Sequence, residues 1–411
     1  MKFTQNMRLR LPQGFEQYDI EDHNFNYRRI DELFTQGENG GGICLCDTES
    51  GGVRAATLVI APFDSSDKSK AGADVVLRGQ QDGNEINAAL SLLHNGGNVI
   101  FTEGRIVIGD TAVSVESDFI TLSGMGTGIS GDIIMHGSGC RLLDMTLLGG
   151  MLIVIGTGCR VSNVQGEGLI QLIGADGIIR DCTLSGNGTV VRIHGQRGRV
   201  QTSTLSSRTN DEMTACLELL GDNTQADNCH IIGVPGNWGV GVNMRGNGTR
   251  VNGCGLAHFF CGITSDNCTI ESHVVTHNRF EAVRRGIWHI HAGNIQSVEI
   301  ANNVFLPFDG TERAIRLRAD FIGMLMLQSN RTATGVEVAA LSPSWSSLNQ
   351  AWNFIGNNRI FGSLDVTNMR LSHVTGNAFS GQSAMHGIDS RFTNNIGTFF
   401  LSGSNNTIDT D

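Results

Sequence analysis

GSGCRLLDM (137–145), GTGCRVSNV (156–164), ADGIIRDCT (175–183), GQRGRVQTST (195–204), GNGTRVNGC (246–254) and SDNCTIESH (265–273) are versions of one phrase. Each sets Gly or Asn at a turn, then a few aliphatic or β-branched residues, then Cys, Arg or Asn at a corner. Aligning Gly139, Gly158, Gly177, Gly198, Gly248 and Asn267 gives steps of 19, 19, 21, 50 and 19 residues, and the step of 50 divides near Asn223 into two of 25. A period of about 20–25 residues with no helical pattern predicts an all-β solenoid. One such unit cannot bury its own apolar face, whereas stacked units bury a continuous core.

Further along, HNRF (277–280), NNVF (302–305), NNRI (357–360), GNAF (376–379) and NNIG (394–397) repeat the pattern in another register. Gly and Asn tolerate the left-handed conformations that sharp bends require. A column of Asn at successive turns can also bond to backbone. About 13 coils at ~4.8 Å each predict a rod of about 60 Å.

Composition agrees with this picture. Gly supplies 54 of 411 residues, and only 17% of the chain is charged, against a usual ~25%. The 5 Pro are few, as expected where Pro would remove a ladder donor. A net charge of −11 argues against nucleic acid as a partner, because phosphate binding needs a basic face. The N-terminus lacks an apolar signal region and no apolar run is long enough to span a membrane, so neither secretion by a cleaved signal nor membrane insertion is expected. Cys140, Cys159, Cys182, Cys229, Cys254 and Cys268 recur at coil positions, which favours buried thiols acting as small hydrophobes. Cys44 and Cys46 have no second half for a zinc site, and no cofactor motif is read.

Residues 1–36 differ from the rest. Phe15, Tyr18, Phe25, Tyr27, Ile30 and Leu33 make this segment amphipathic, yet it is too short to bury them alone, which predicts docking on a partner or on the rod. Residues 37–55 read as a Gly-rich connector. Within 56–110, ATLVIAP (56–62) reads as a strand and GNEINAALSLLHNGG (83–97) as a helix ended by Gly96 and Gly97. Its Ile86, Leu90 and Leu93 share one face that can cap the open end of the first coil. Residues 111–411 form the rod.

The stretch ATLVIAPFDSSDKSKAGADVVLRGQQDGNEINAALSLLHNGGNVIFTEGRIVIGD (56–110) resembles the opening of right-handed parallel β-helix proteins of the pectate-lyase-like superfamily, in the form found on phage and prophage tail fibres and tailspikes. MRLRLPQGFEQYDIEDHNFNYRRIDEL (7–33) is similar to the tail-attachment leader of such fibres, which implies tail contacts by Leu11, Pro12, Phe15, Tyr18, Ile20, Phe25, Tyr27, Ile30 and Leu33. The resemblance implies a virion protein, usually a homotrimer, held to the tail or baseplate by its N-terminus and touching host surface glycans along the rod. It does not by itself imply an enzyme.

Candidate chemistry is sparse. Pectate lyases cluster Asp around calcium and tailspike glycosidases use two carboxylates, but no two successive coils here present an obvious acidic pair. The densest polar stretch is ESHVVTHNRFEAVRRGIWHIHAGN (271–294). In it, Glu281 is the candidate acid or base, and Arg284 or Arg285 could hold an acidic sugar; the alternative is an exposed strand face or a trimer contact. His289 and His291 alternate and would share a face, which near a trimer axis could bind a metal. Trp238, Trp345 and Trp352 fall in longer insertions and are candidates for sugar stacking or for packing. The runs 307–328 and 341–350 are expected to interrupt the repeat. The leading reading is an attachment fibre; its rivals are a polysaccharide depolymerase and a structural adaptor carrying another receptor-binding protein.

Overall fold

The computed structural model describes residues 2–3, 10–11 and 56–409, apart from 210, 237–238, 267–270, 291–293, 309–310 and 342–351. The chain divides into a unit of residues 1–55 and a unit of residues 56–411. In the first, Lys2–Phe3 pairs antiparallel with Arg10–Leu11. Leu11 ends that second strand, while Pro12, Phe15, Tyr18, Ile20, Phe25, Tyr27, Ile30, Leu33, Cys44 and Cys46 lie outside the described residues.

The second unit is a right-handed parallel β-helix in which a typical coil carries three strands, for example Arg199–Gln201, Thr204–Ser207 and Ala215–Leu219. These belong to the first, second and third sheets of the solenoid. Its axis can be followed along one inward column of the first sheet. Leu58, Val99, Leu122, Leu142, Val161, Ile179, Val200 and Ala226 pair in succession. Val251, Val275, Ile300, Leu327, Ile355, Val374, Phe392 and Ile408 continue the column. These sixteen rungs exceed the expected thirteen and, at ~4.8 Å per rung, give a stack of about 70 Å. Every member from Val99 to Phe392 is buried, whereas the last, Ile408, is 48% exposed. Aliphatic residues stacked on like residues make a core with no polar atoms to satisfy.

The first step, from Leu58 to Val99, is long because it carries two helices, α1 (Asp67–Ala71) and α2 (Asp82–Leu90). The α2 residues Ile86 and Leu90, and Leu93 just beyond, are buried as the spacing predicts. The helix ends at Leu90 rather than at the glycines. Two polar side chains fix this cap to the rod. Asp82, fully buried, accepts from the Gly79 and Val107 amides, and Asn87 bonds Ala112 and Ser114 on the edge of the strand Val113–Val115.

Corners determine the coil. At the turn into the first sheet, a left-handed residue recurs as Phe119, Gly139, Gly158, Asp176, Arg197, Asn223 and Gly248. The sequence alignment at Gly177 and Gly198 is thus one residue late. Asp176 and Arg197 take the strained positions, and the Arg197 guanidinium grips the Asp176 carboxylate with two bonds of 2.7 Å. The step after Gly248 also differs: Thr249 pairs with His273, so that coil is 24 residues long rather than 19, and Asn267 lies outside the described residues. Just before this corner a second column, Gly137, Gly156, Gly174, Gly195, Gly221 and Gly246, packs backbone on backbone. A Cβ on Gly156, Gly195 or Gly246 would lie 1.9 Å from the carbonyl oxygen of the glycine one rung below.

The second corner also holds a left-handed residue in coil after coil, from Asp144 and Asn163 to Asn357 and Asn394. The residue after it points inward. Toward the N-terminus it is Cys182, Ser203, Cys229 or Cys254, and from Asn278 onward it is Asn. Asn278, Asn303, Asn330, Asn358, Asn377 and Asn395 form a ladder: each Oδ1 from Asn303 on accepts the backbone N–H and the Nδ2 of the Asn below at 2.9–3.1 Å. Each Nδ2 also donates to a backbone carbonyl at 2.8–2.9 Å. The thiols are free and buried as expected, with Cys268 outside the described residues.

Candidate functional site: an arginine face on the third sheet

On the third sheet one outward column runs Arg192, Glu218, Asn243, Thr264, Trp288, Arg316, Glu337 and Asp365. Beside it, Arg285 stacks on Arg313 one rung away, and Arg318 follows Arg316 on the same face by strand alternation. The sheet therefore brings together residues from successive coils that are far apart in sequence.

Apolar groups form the floor. Ala215, Val240, Phe260 and Cys261 form a small buried cluster apart from the main core, with Trp288 packed on them. The Arg285 guanidinium carbon lies 4.3 Å from the Phe260 ring centre and 4.4 Å from that of Trp288. Arg316 lies 4.6 Å from the Trp288 ring. Such cation–π contacts hold guanidinium planes flat and contribute ~0.5–2 kcal/mol each.

Carboxylates complete the cluster. Glu312 takes Arg284 at 3.0 Å and Arg285 at 2.8 Å. Glu337 takes Arg318 at 2.6 Å, Arg316 at 3.0 Å and Arg313 at 3.4 Å, and Arg313 also reaches Asp365 at 2.8 Å. Five guanidinium groups thus meet three carboxylates. The hydrogen bond from Arg285, with Arg284 nearby, holds the Glu312 carboxyl below the usual carboxylate range. A general acid at neutral pH needs the opposite shift, so Glu312 is an anchor for arginines and not a proton donor.

Each residue singled out in the sequence has a definite place, or none in the described part. Arg284 and Arg285 belong to this face. Glu281 does not meet them; it sits on the second-sheet strand Arg279–Glu281 and pairs with Arg279 at 3.5 Å. His289 points into the core, fully buried, with its Nδ1 against the Ser265 hydroxyl and its ring 5.7 Å from that of His273, so it does not share an exposed metal-binding face. His291, Trp238 and Trp345 lie outside the described residues, and Trp352 begins the first-sheet strand Trp352–Gly356. The run 307–328 is no interruption: it supplies the strands Arg313–Ala319 and Phe321–Gln328 of an ordinary coil, joined at Asp320 without a Gly or Asn turn. Sequence reading missed Phe260, Glu312, Arg313, Arg316, Arg318 and Glu337. The alternation RLR (316–318) was the available signal, with Glu337 one coil further on.

No family model matches the chain and no curated protein matches it. Solved structures do. The tailspike protein of E. coli bacteriophage HK620, as a double mutant in complex with a pentasaccharide, is similar over 84% of this chain and 79% of its own, with a TM-score of 0.53 and 12% identity. A single mutant of that tailspike, also with pentasaccharide, gives a TM-score of 0.51 at 11% identity over the same shares. A PL6 alginate lyase complex covers 84% of this chain and 85% of its own with a TM-score of 0.39 and 12% identity. At these identities what is shared is the fold, and this chain is a right-handed parallel β-helix.

Proposed function

We propose that the chain is a phage tail fibre or tailspike protein whose rod contacts host surface glycans through the third-sheet arginine face. The observation that carries this reading is the assembly of five arginines on one surface, with Arg284, Arg285 and Arg316 over the rings of Phe260 and Trp288. Guanidinium groups and aromatic edges are the equipment of polar ligand recognition. The shared fold with a tailspike crystallised with an oligosaccharide supports it. In this reading residues 1–36 dock to the tail or baseplate, the chain works as a homotrimer in the virion, and the rod binds rather than cleaves, because the carboxylates of the face are engaged by arginine.

A direct test incubates the purified full-length chain with surface polysaccharides from candidate hosts and reads pull-down alongside reducing ends and unsaturated-uronate absorbance. Retention without cleavage is expected. Cleavage would move the protein to the depolymerases, and absence of retention on every polysaccharide would favour the adaptor reading.

A further inference from the structure

We infer that the third-sheet face selects polysaccharides bearing carboxylates, uronic-acid or sialic-acid type, over neutral glycans; this rests on the glycan-contact reading. The first argument is charge. In a chain of net −11, the cluster of Arg284, Arg285, Arg313, Arg316 and Arg318 exceeds its own carboxylates Glu312, Glu337 and Asp365 by two cations. An acidic molecule that concentrates cations at one place draws polyanions there while repelling them elsewhere.

The second argument is which atoms remain outermost. Arg316 and Arg318 approach Glu337 through Nε, and those Nε atoms are buried. Their side chains nevertheless keep 25% and 40% exposure, so the solvent-facing part of each is not the atom that meets Glu337. A guanidinium has further N–H groups that can take a carboxylate in parallel. The third argument is order. Arg285 and Arg316 lie against aromatic rings and carboxylates that fix their planes before any ligand arrives, which reduces the entropy lost on binding. Arg285 and Arg313 are one rung apart, about 4.8 Å, so the cations form a short row suited to a chain with repeated carboxylates.

The probes are polygalacturonate, the same polymer with its carboxyls methyl-esterified, and dextran, measured by affinity electrophoresis with the full-length chain. Polygalacturonate should be retained and its ester retained at least about tenfold less, with retention falling as salt rises. Arg318→Gln should weaken polygalacturonate binding about tenfold and Arg318→Lys by less, both with unchanged circular dichroism, whereas Glu312→Gln, which removes an anion, should strengthen it. Retention of polygalacturonate that ignores both Arg318 substitutions overturns this site. Retention of dextran or ester equal to that of the acid overturns the selectivity while leaving glycan contact standing. No retention of any polymer, here and with host polysaccharides, removes both.

Discussion

Replacing Asn303 with Ala removes the middle of the asparagine ladder and nothing else. The side chain is fully buried, accepts from the Asn278 backbone N–H at 2.9 Å and from the Asn278 Nδ2 at 3.0 Å, and donates to the Val275 carbonyl at 2.8 Å. Alanine takes the acceptor from the Asn278 backbone N–H and this donor from the Val275 carbonyl, while the Asn278 Nδ2 keeps the Val251 carbonyl. An orphaned buried polar group costs about 1–3 kcal/mol, and with two affected the loss should be about 3–5 kcal/mol. The same change at Asn395, half-buried at the end of the ladder, should lose only about 1 kcal/mol because water can replace the amide. A stacked rod need not unfold in one step, so urea unfolding should be paired with native-state hydrogen exchange. In Asn303→Ala the Asn278 amide should lose about a hundredfold in protection, since ~1.4 kcal/mol is a factor of ten. The Asn303 amide keeps its own acceptor, Asn330 Oδ1, and should stay protected more nearly as in the parent. Unchanged protection at Asn278 together with an unchanged urea midpoint would refute the claim that the ladder stabilises the rod.

Gly246→Ala should lose about 3 kcal/mol in urea unfolding, the upper range of overpacking, because its Cβ would meet the Gly221 carbonyl at 1.9 Å; Gly188→Ala, whose Cβ finds only Thr214 at 3.7 Å, should stay within about 0.5 kcal/mol. The free thiols Cys140, Cys159, Cys182, Cys216, Cys229, Cys254 and Cys261 should resist alkylation in native protein and react on unfolding, read by mass spectrometry. Cys159 is the demanding case: the neighbouring Cys140 thiol lowers it to about 7, so burial alone must keep it unreactive. Glu312, its pKa depressed by Arg285 and Arg284, contributes stability that is fully present above the unfolded value of ~4.3 and is lost as pH falls through the lower folded value. The difference in urea midpoint between wild type and Glu312→Gln should therefore shrink below about pH 4.

The solenoid was legible because its determinants are local. A corner needs Gly, Asn or Asp within two or three residues of an aliphatic pair, and such phrases survive in one dimension. HNRF and NNVF marked Asn278 and Asn303 correctly; Asn330 went unnoticed because Thr332 stands where HNRF, NNVF, NNRI and GNAF end in Phe or Ile. The αL positions slipped by one at Asp176 and Arg197 because a bidentate ion pair, invisible in sequence, lets these residues replace Gly. The arginine face was only half legible. Arg284 and Arg285 stood out as neighbours, but Glu312 is 27 residues from Arg285, and Glu337 meets Arg316 only through strand register. Coil length decides which charges face each other, and coil length is the quantity that one-dimensional reading gets wrong first, as at Gly248.

Beyond the first, helix-bearing step, coil length varies from 16 residues between Phe392 and Ile408 to 28 between Leu327 and Ile355, yet the inward column never breaks. Backbone contact at the corners sets the pitch, and the outer path between corners is free to lengthen. The molecule therefore separates what must be inherited from what can be rewritten. Residues can be added to or removed from a loop beside the arginine face without moving the axis or the rungs above and below it. A protein whose partner keeps changing its surface could then follow that change by small insertions, while folding by the same rules throughout.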